Sequence, residues 1–146
     1  RSRKAMKPAS PGTERLLLDA GIWHESKDSE SAWVEACRSL VLDTDQAVGT
    51  STLALYEIAN TLGARDGRAA EAVDICRLIG ERCGSAIVAP DLMLMHSALS
   101  IAAEHGLTAY DASYVAAARR EGWTLVSLDI KDLVSKGLAI TPDAAV

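Results

Sequence analysis

A chain of 146 residues, 49% hydrophobic and 24% charged, is sized for one domain that buries its own core. No apolar run reaches the ~18 residues of a membrane span, and the basic, polar opening has no apolar segment behind it; the expectation is a cytoplasmic protein without a membrane segment or export signal. The net charge of -5 argues against a surface that grips long nucleic acid by neutralising many phosphates, but leaves room for a nuclease whose acids are pooled in one pocket around divalent ions.

Residues 1–14 hold four cations, two prolines and a glycine but no hydrophobic period. They are expected to be a flexible basic arm or a remnant of cloning, outside a domain spanning 15–143. Residues 15–18 read as a short buried strand, followed by a polar stretch and a helix with Trp33, Ala36, Cys37 and Leu40 on one face. A second strand is expected over 47–50. Leu55, Ile58, Ala59 and Leu62 predict a helix over 51–62, and Ala69, Ala72, Val73, Cys76 and Ile79 another over about 68–82. After a strand over 86–88, Pro90 and Asp91 mark a helix start, Leu92, Met95, Ala98, Leu99 and Ala102 form its stripe, and Gly106 ends it. Thr108 opens the next helix with a Thr-x-x-Asp capping pattern and Gly122 closes it. A strand over 124–128, a helical turn over 129–134 and an edge strand over 139–141 complete the chain. Cys37, Cys76 and Cys83 match no zinc or redox spacing and are expected as reduced, partly buried thiols.

Short strands alternating with longer helices indicate an α/β fold: a three-layer α/β/α domain around a mostly parallel sheet of four to five short strands. In such sheets ligands bind beyond the carboxyl ends of the strands. Asp19 directly follows Leu16-Leu17-Leu18, and Asp129 directly follows the 124–128 strand. Taken singly, each also fits a helix cap or turn after a strand. Together they are harder to explain, because neighbouring strands lie only ~5 Å apart. Two carboxylates ~4 Å apart repel by about 4 kcal/mol at an effective dielectric of 20, so such a pair usually has a cation holding it. Oxygen-only ligands select a hard ion, Mg²⁺ or Mn²⁺.

Asp111 belongs to the capping pattern, which would turn it to solvent, yet it also heads the stripe of Tyr114, Val115 and Ala118 at core-facing spacing. An acid at the wet end of a buried stripe is placed to enter a cleft. Glu57 projects roughly opposite the apolar stripe of its helix, as a solvated glutamate would, and periodicity alone does not select it.

Four stretches taken together resemble the PIN-domain proteins, particularly VapC-type toxins, over residues 15 to about 140. Leu16-Leu17-Leu18-Asp19-Ala20-Gly21-Ile22-Trp23 looks like the family's first strand and leading aspartate, and Leu55 to Leu62 is similar to its glutamate-bearing helix. Gly106 to Ala118, containing Thr108, Asp111 and Ser113, resembles the third and most specific motif; Leu125-Val126-Ser127-Leu128-Asp129 resembles the fourth. Gly21 stands where Ser or Thr is common, and Ser51-Thr52-Leu53 lacks a frequent proline; neither departure removes a ligand.

The resemblance implies that Asp19, Glu57, Asp111 and Asp129 form an acidic quartet around Mg²⁺ or Mn²⁺. Asp19 and Asp111 would be the principal ligands, Glu57 and Asp129 further ligands or groups that orient water, and Ser127 a hydrogen-bonding support. The implied activity is metal-dependent endoribonuclease cleavage of RNA by the toxin of a VapBC-type pair. The implied partners are a cognate antitoxin, whose tail covers the site, and a second copy in a homodimer. The acidic charge balance fits a basic peptide. Arg65, Arg68, Arg119, Arg120 and Lys131 are weak candidates for the RNA backbone, each more readily a solvated surface residue. With no Phe in the chain, Trp23, Trp33 and Tyr56 are expected as core fillers rather than base-stacking rings. His24, His96 and His105 have no Ser or Cys partner in a nucleophile motif. An aspartate-nucleophile phosphatase would need an acid at position 21, where Gly stands. The rival from another class is a catalytically inactive PIN-like binding module, from which an intact set of four acids separates this chain.

Overall fold

A computed structural model describes residues 14–28 and 30–146. The predicted arm lies outside the described residues except for Glu14. Its carbonyl accepts a hydrogen bond from Gln46 Nε2 at 3.0 Å, and its carboxylate one from Thr124 Oγ1 at 2.5 Å.

Four strands, β1 (Leu16–Leu18), β2 (Val48–Ser51), β3 (Ile87–Val88) and β4 (Thr124–Val126), form one parallel sheet in the order β3-β2-β1-β4. Where a fifth strand is expected there is one parallel bridge, Val126 to Ile140. All three leucines of β1 are buried, although their side chains alternate between faces, so both faces of the sheet are covered. That is why the strand reads as a solid apolar run. The helices are α1 (Ala20–Glu25), α2 (Val34–Leu42), α3 (Thr52–Ile58), α4 (Ala69–Cys83), α5 (Leu92–His105), α6 (Ala109–Glu121) and α7 (Pro142–Ala145).

Four elements differ from the sequence reading, the first being α7, where no helix is expected. At six residues α1 is too short to display a helical period, and no helix is expected there from the pattern. The helix expected over 51–62 keeps α geometry only to Ile58 and continues as a π-helical stretch, Ala59–Arg65. The turn after β4 is likewise π-helical, Ile130–Val134. Wider turns of this kind are common at functional sites.

Sheet register positions the site. Leu16, Leu17 and Leu18 pair with Thr124, Leu125 and Val126, so Asp19 and Ser127 leave the sheet side by side, and the Asp19 N–H donates to the Val126 carbonyl at 3.4 Å. Within β2, a Cβ on Gly49 would lie 2.7 Å from the Trp123 ring and 2.8 Å from the Ala86 carbonyl. Arg15 stacks over the same indole, 5.5 Å from its centroid, and donates to the Val48 carbonyl at 2.7 Å. Arg82 donates to the carbonyls of Leu40, Val41, Asp43 and Gln46, tying α4 to the end of α2 and the entry to β2.

The cysteines are free, and burial pushes the Cys37 thiol up to about 12 and that of Cys83 to about 11, as inert thiols require. No helix among the described residues is long and apolar enough to cross a membrane.

Candidate active site

The residue after β1 is Asp19, and its extended backbone makes it the N-cap of α1, with the carboxylate accepting from the Ile22 N–H at 3.4 Å. Two strands' worth of carboxyl ends meet here. Ser127, buried just past β4, accepts from the Asp129 N–H at 3.0 Å, and Asp129 in turn caps the π-helical turn by accepting from the Asp132 N–H at 2.9 Å. The cap readings of Asp19 and Asp129 are therefore both true, and neither removes them from the site. One carboxylate oxygen binds the local backbone while the other side of the group faces its neighbours.

Asp111 occupies the first turn of α6, where its N–H donates to Thr108 Oγ1 at 3.0 Å. Carboxylate oxygens of Asp111, Asp129 and Asp132 all lie within 4.8 Å of one another. Glu57 comes from α3. The Tyr114 hydroxyl donates to its Oε1 at 2.5 Å, so a side chain of α6 meets the side of α3 opposite its apolar stripe. Tyr114 itself is buried, and burial together with the Glu57 charge pushes its phenol far above the ordinary value, so it keeps its proton.

The electrostatics join these groups. Burial pushes the Asp19 carboxyl up from 3.8 to about 7; the Ser127 hydroxyl and the Ile22 N–H pull against that, and Glu57 and Asp111 reinforce it. Asp111 is raised too, by burial first and then by Asp129, Glu57 and Asp132. All four predicted acids thus share one electric field at the carboxyl edge of the sheet, and Ser127 stands among them.

Two residues of this cluster escape the sequence reading. Asp132 is the third member of the tightest carboxylate group, and the Asp129-x-x-Asp132 spacing, which places both on one face of a helical turn, is the signal that points to it. Tyr114 reads as a core residue from its stripe position; its polar tip carries the link to Glu57.

The predicted cations are not gathered at the acids. Arg65 pairs with Asp66 at 3.1 Å, Arg68 with Glu71 at 2.5 Å, and Arg120 with Asp91 and Glu121 at 3.3 and 3.4 Å. Arg68 lines a separate cavity of about 460 Å³ with His24 and Lys27. Arg119 lies eight residues beyond Asp111, roughly 12 Å along the helix axis. Lys131, exposed between Asp129 and Asp132, is the candidate closest in sequence to the acids. Among the aromatics, Trp23 is fully buried, with its Nε1 donating to Thr50 Oγ1 at 3.4 Å, and Trp33 packs against the core. Tyr56 is no core filler: it is 74% exposed. Its neighbour Glu57 turns toward α6, and the 100° step of a helix turns Tyr56 away.

A sequence model of the PIN domain matches residues 16–134, a span that contains all of these acids. The chain belongs to the PIN domain family. Ribonuclease VapC3 of Pyrobaculum aerophilum is 38% identical over 88 residues, which cover 58% of this chain and 67% of that one. The crystal structure of PAE2754, also from Pyrobaculum aerophilum, superposes with a TM-score of 0.64 at 25% identity, covering 94% of this chain and 89% of the other. The Mycobacterium tuberculosis toxin VapC20, described as cleaving the sarcin–ricin loop, superposes at 0.66 with 18% identity, covering 84% and 95%. This PIN domain therefore has the parallel, doubly covered sheet of its relatives, with its carboxylates at the sheet's carboxyl edge.

Proposed function

We propose that the chain is a metal-dependent endoribonuclease, the toxin of a VapBC-type toxin–antitoxin pair acting in the cytoplasm. The observation that carries this reading is the packing of Asp19, Glu57, Asp111, Asp129 and Asp132 into one site with two of them pushed up in pKa. Family membership and the ribonuclease VapC3 relative support it.

The residues fit a hard divalent cation, Mg²⁺ or Mn²⁺. The donors are all carboxylate oxygens, three of them within 4.8 Å of one another, and burial, reinforced by the neighbouring carboxylates, raises Asp19 and Asp111, so a cation there would restore their charged forms. Asp19 and Asp111 would hold it, with Glu57, Asp129 and Asp132 as further ligands or water-orienting groups. Such a cation, when bound, neutralises charge building on the phosphoryl oxygens and makes water a better nucleophile.

The chain's own groups supply the rest. Glu57 and Asp129, as water-orienting groups, are suited to take the proton of an attacking water while Asp19 and Asp111 hold the cation. The Ser127 hydroxyl supports Asp19, and the Asp129 N–H fixes that hydroxyl in place. Tyr114 pins the Glu57 carboxylate through its own proton, leaving the second oxygen to turn toward the cluster. Lys131 is the cation placed to meet RNA phosphate at this edge; the paired Arg65, Arg68 and Arg120, with Arg119 distant along α6, are peripheral contacts.

The partners in this reading are an RNA substrate, a cognate antitoxin and a second copy of the chain. Incubating the purified chain with total bacterial RNA and Mg²⁺ or Mn²⁺ tests it, with EDTA and Asp111→Asn as controls. Cleavage that disappears in both controls is expected. Equal inertness of wild type and variant across metals, with no metal-binding difference between them, would replace the nuclease by an inactive binding module.

A further inference from the structure

Between α3, α5 and α6 lies a cavity of about 420 Å³ whose lining includes Leu53, Tyr56, Met95, Tyr110 and Ser113, the chain neighbours of Glu57 and Asp111 among them, and holds no acidic, basic or histidine side chain. Resting on the nuclease reading, we infer that this cavity receives one unstacked nucleobase of the RNA, held against the rings of Tyr56 and Tyr110.

The argument starts from exposure. Tyr56 and Tyr110 leave 74% and 63% of their surface to solvent, while Tyr114, a few residues along the same helix as Tyr110, is buried. Two large aromatic rings from separate helices at one cavity are surplus to the core and available to a ligand. Their positions tie them to the acids: Tyr56 precedes Glu57 and Tyr110 precedes Asp111, with Cα atoms about 3.8 Å apart in each pair. The 100° helical step then sends each acid to the cluster and each ring to the cavity.

Charge decides what part of a nucleotide belongs there. A neutral lining offers nothing to phosphate, which belongs with the cation-binding acids next door. Leu53 and Met95 supply an apolar floor, and the Ser113 hydroxyl a polar group for a base edge. Bases splayed out of single-stranded RNA are recognised by this combination of aromatic stacking and edge hydrogen bonds.

The test uses the full chain in Ca²⁺ and a fluorescein-labelled mixed-sequence RNA hexamer, with binding read by anisotropy for wild type, Tyr56→Ala, Tyr110→Ala and the two Phe variants. Each Ala variant is expected to bind roughly tenfold more weakly, while Phe retains affinity because the ring, not the hydroxyl, carries stacking. A hexamer of abasic nucleotides should bind wild type and Ala variants alike. Parallel cleavage of an RNA pool in Mg²⁺ should show a changed base preference beside the cut in the Ala variants. Equal affinity of wild type and Ala variants, or no binding by the wild type, overturns the inference. So does a loss of affinity that tracks conversion to monomer in sedimentation, which would assign the rings to a protein interface. Absent cleavage with ring-dependent binding would sink the nuclease and leave the base site standing; metal-dependent cleavage with indifferent rings would do the reverse.

Discussion

Asp19 shows why a single residue can read as one thing and serve as two. As the N-cap of α1 it satisfies the Ile22 N–H, which any Asp after a strand would do, yet its carboxyl is pushed to about 7 against an ordinary 3.8. The folded state therefore binds a proton that the unfolded chain releases. By linkage, the stability this contributes is fully present below pH 4 and is lost as pH rises through about 7, a change of up to about 4 kcal/mol. Thermal melting in EDTA should show Tm falling across that window on this account, Mg²⁺ should restore it at neutral pH, and Asp19→Asn should flatten the pH slope. A metal-free Tm indifferent to pH between 5 and 7.5 would contradict the raised pKa of the Asp19 carboxyl. Tyr114 offers a second test at this scale. Tyr114→Phe keeps the ring and removes the donor to Glu57, so cleavage or metal affinity is expected to fall about 10–100-fold with little change in melting temperature. Legibility at this scale was uneven. Asp19, Asp111 and Asp129 follow from strand ends and a helix stripe, whereas Glu57 needs the family resemblance, because what meets its side of α3 comes from a helix more than fifty residues away. Asp132 is signalled only by its i, i+3 spacing to Asp129.

Elements were legible wherever a period had room to repeat. The helices α4, α5 and α6, the stripe of α6 and the caps at Thr108, Gly106 and Gly122 stand as the sequence predicts, since each helix exceeds three turns, whereas the buried faces of α4 and α5 are rotated from the predicted stripes and leave Val73, Leu92 and Leu99 exposed. The six-residue α1 and the two π-helical stretches have no such signature. Their geometry is set by neighbours rather than by local propensity. The connection between elements carries its own weight in Gly49 and Arg82. Gly49→Ala would drive a methyl into the Trp123 ring and the Ala86 carbonyl, and the backbone oxygen cannot step aside as a side-chain tip can. Overpacking of this kind costs about 1–3 kcal/mol, read as a lower urea midpoint at unchanged slope. Arg82→Ala would strip donors from the carbonyls of Leu40, Val41, Asp43 and Gln46 at once. A loss of about 2–3 kcal/mol is expected, with Arg82→Lys recovering only part, because one ammonium cannot span the fork of the guanidinium.

At the scale of the whole molecule, class and layer order are legible because a parallel sheet needs helical crossovers and two covered faces, and both leave marks in the sequence: solid apolar strands and alternating periods. What covers the outside of the molecule leaves no comparable mark. Leu92, Met93 and Leu99, on α5, are 88, 78 and 60% exposed, although Leu92 and Leu99 read from spacing as members of that helix's core stripe. Leu94, Ala98 and Ile101 take the buried positions instead, which rotates the stripe and leaves an apolar strip facing outward. A second copy of the chain is the occupant that the proposed homodimer supplies, and a self-matching strip on one helix suits a two-fold axis. Leu99→Arg on that account places like charges opposite one another across the axis. Sedimentation velocity at micromolar concentration should then show wild type as a dimer and the variant as a monomer with the same far-ultraviolet circular dichroism. Wild type sedimenting as a monomer, or Leu99→Arg remaining dimeric, would move the interface away from α5 and leave that strip to the antitoxin.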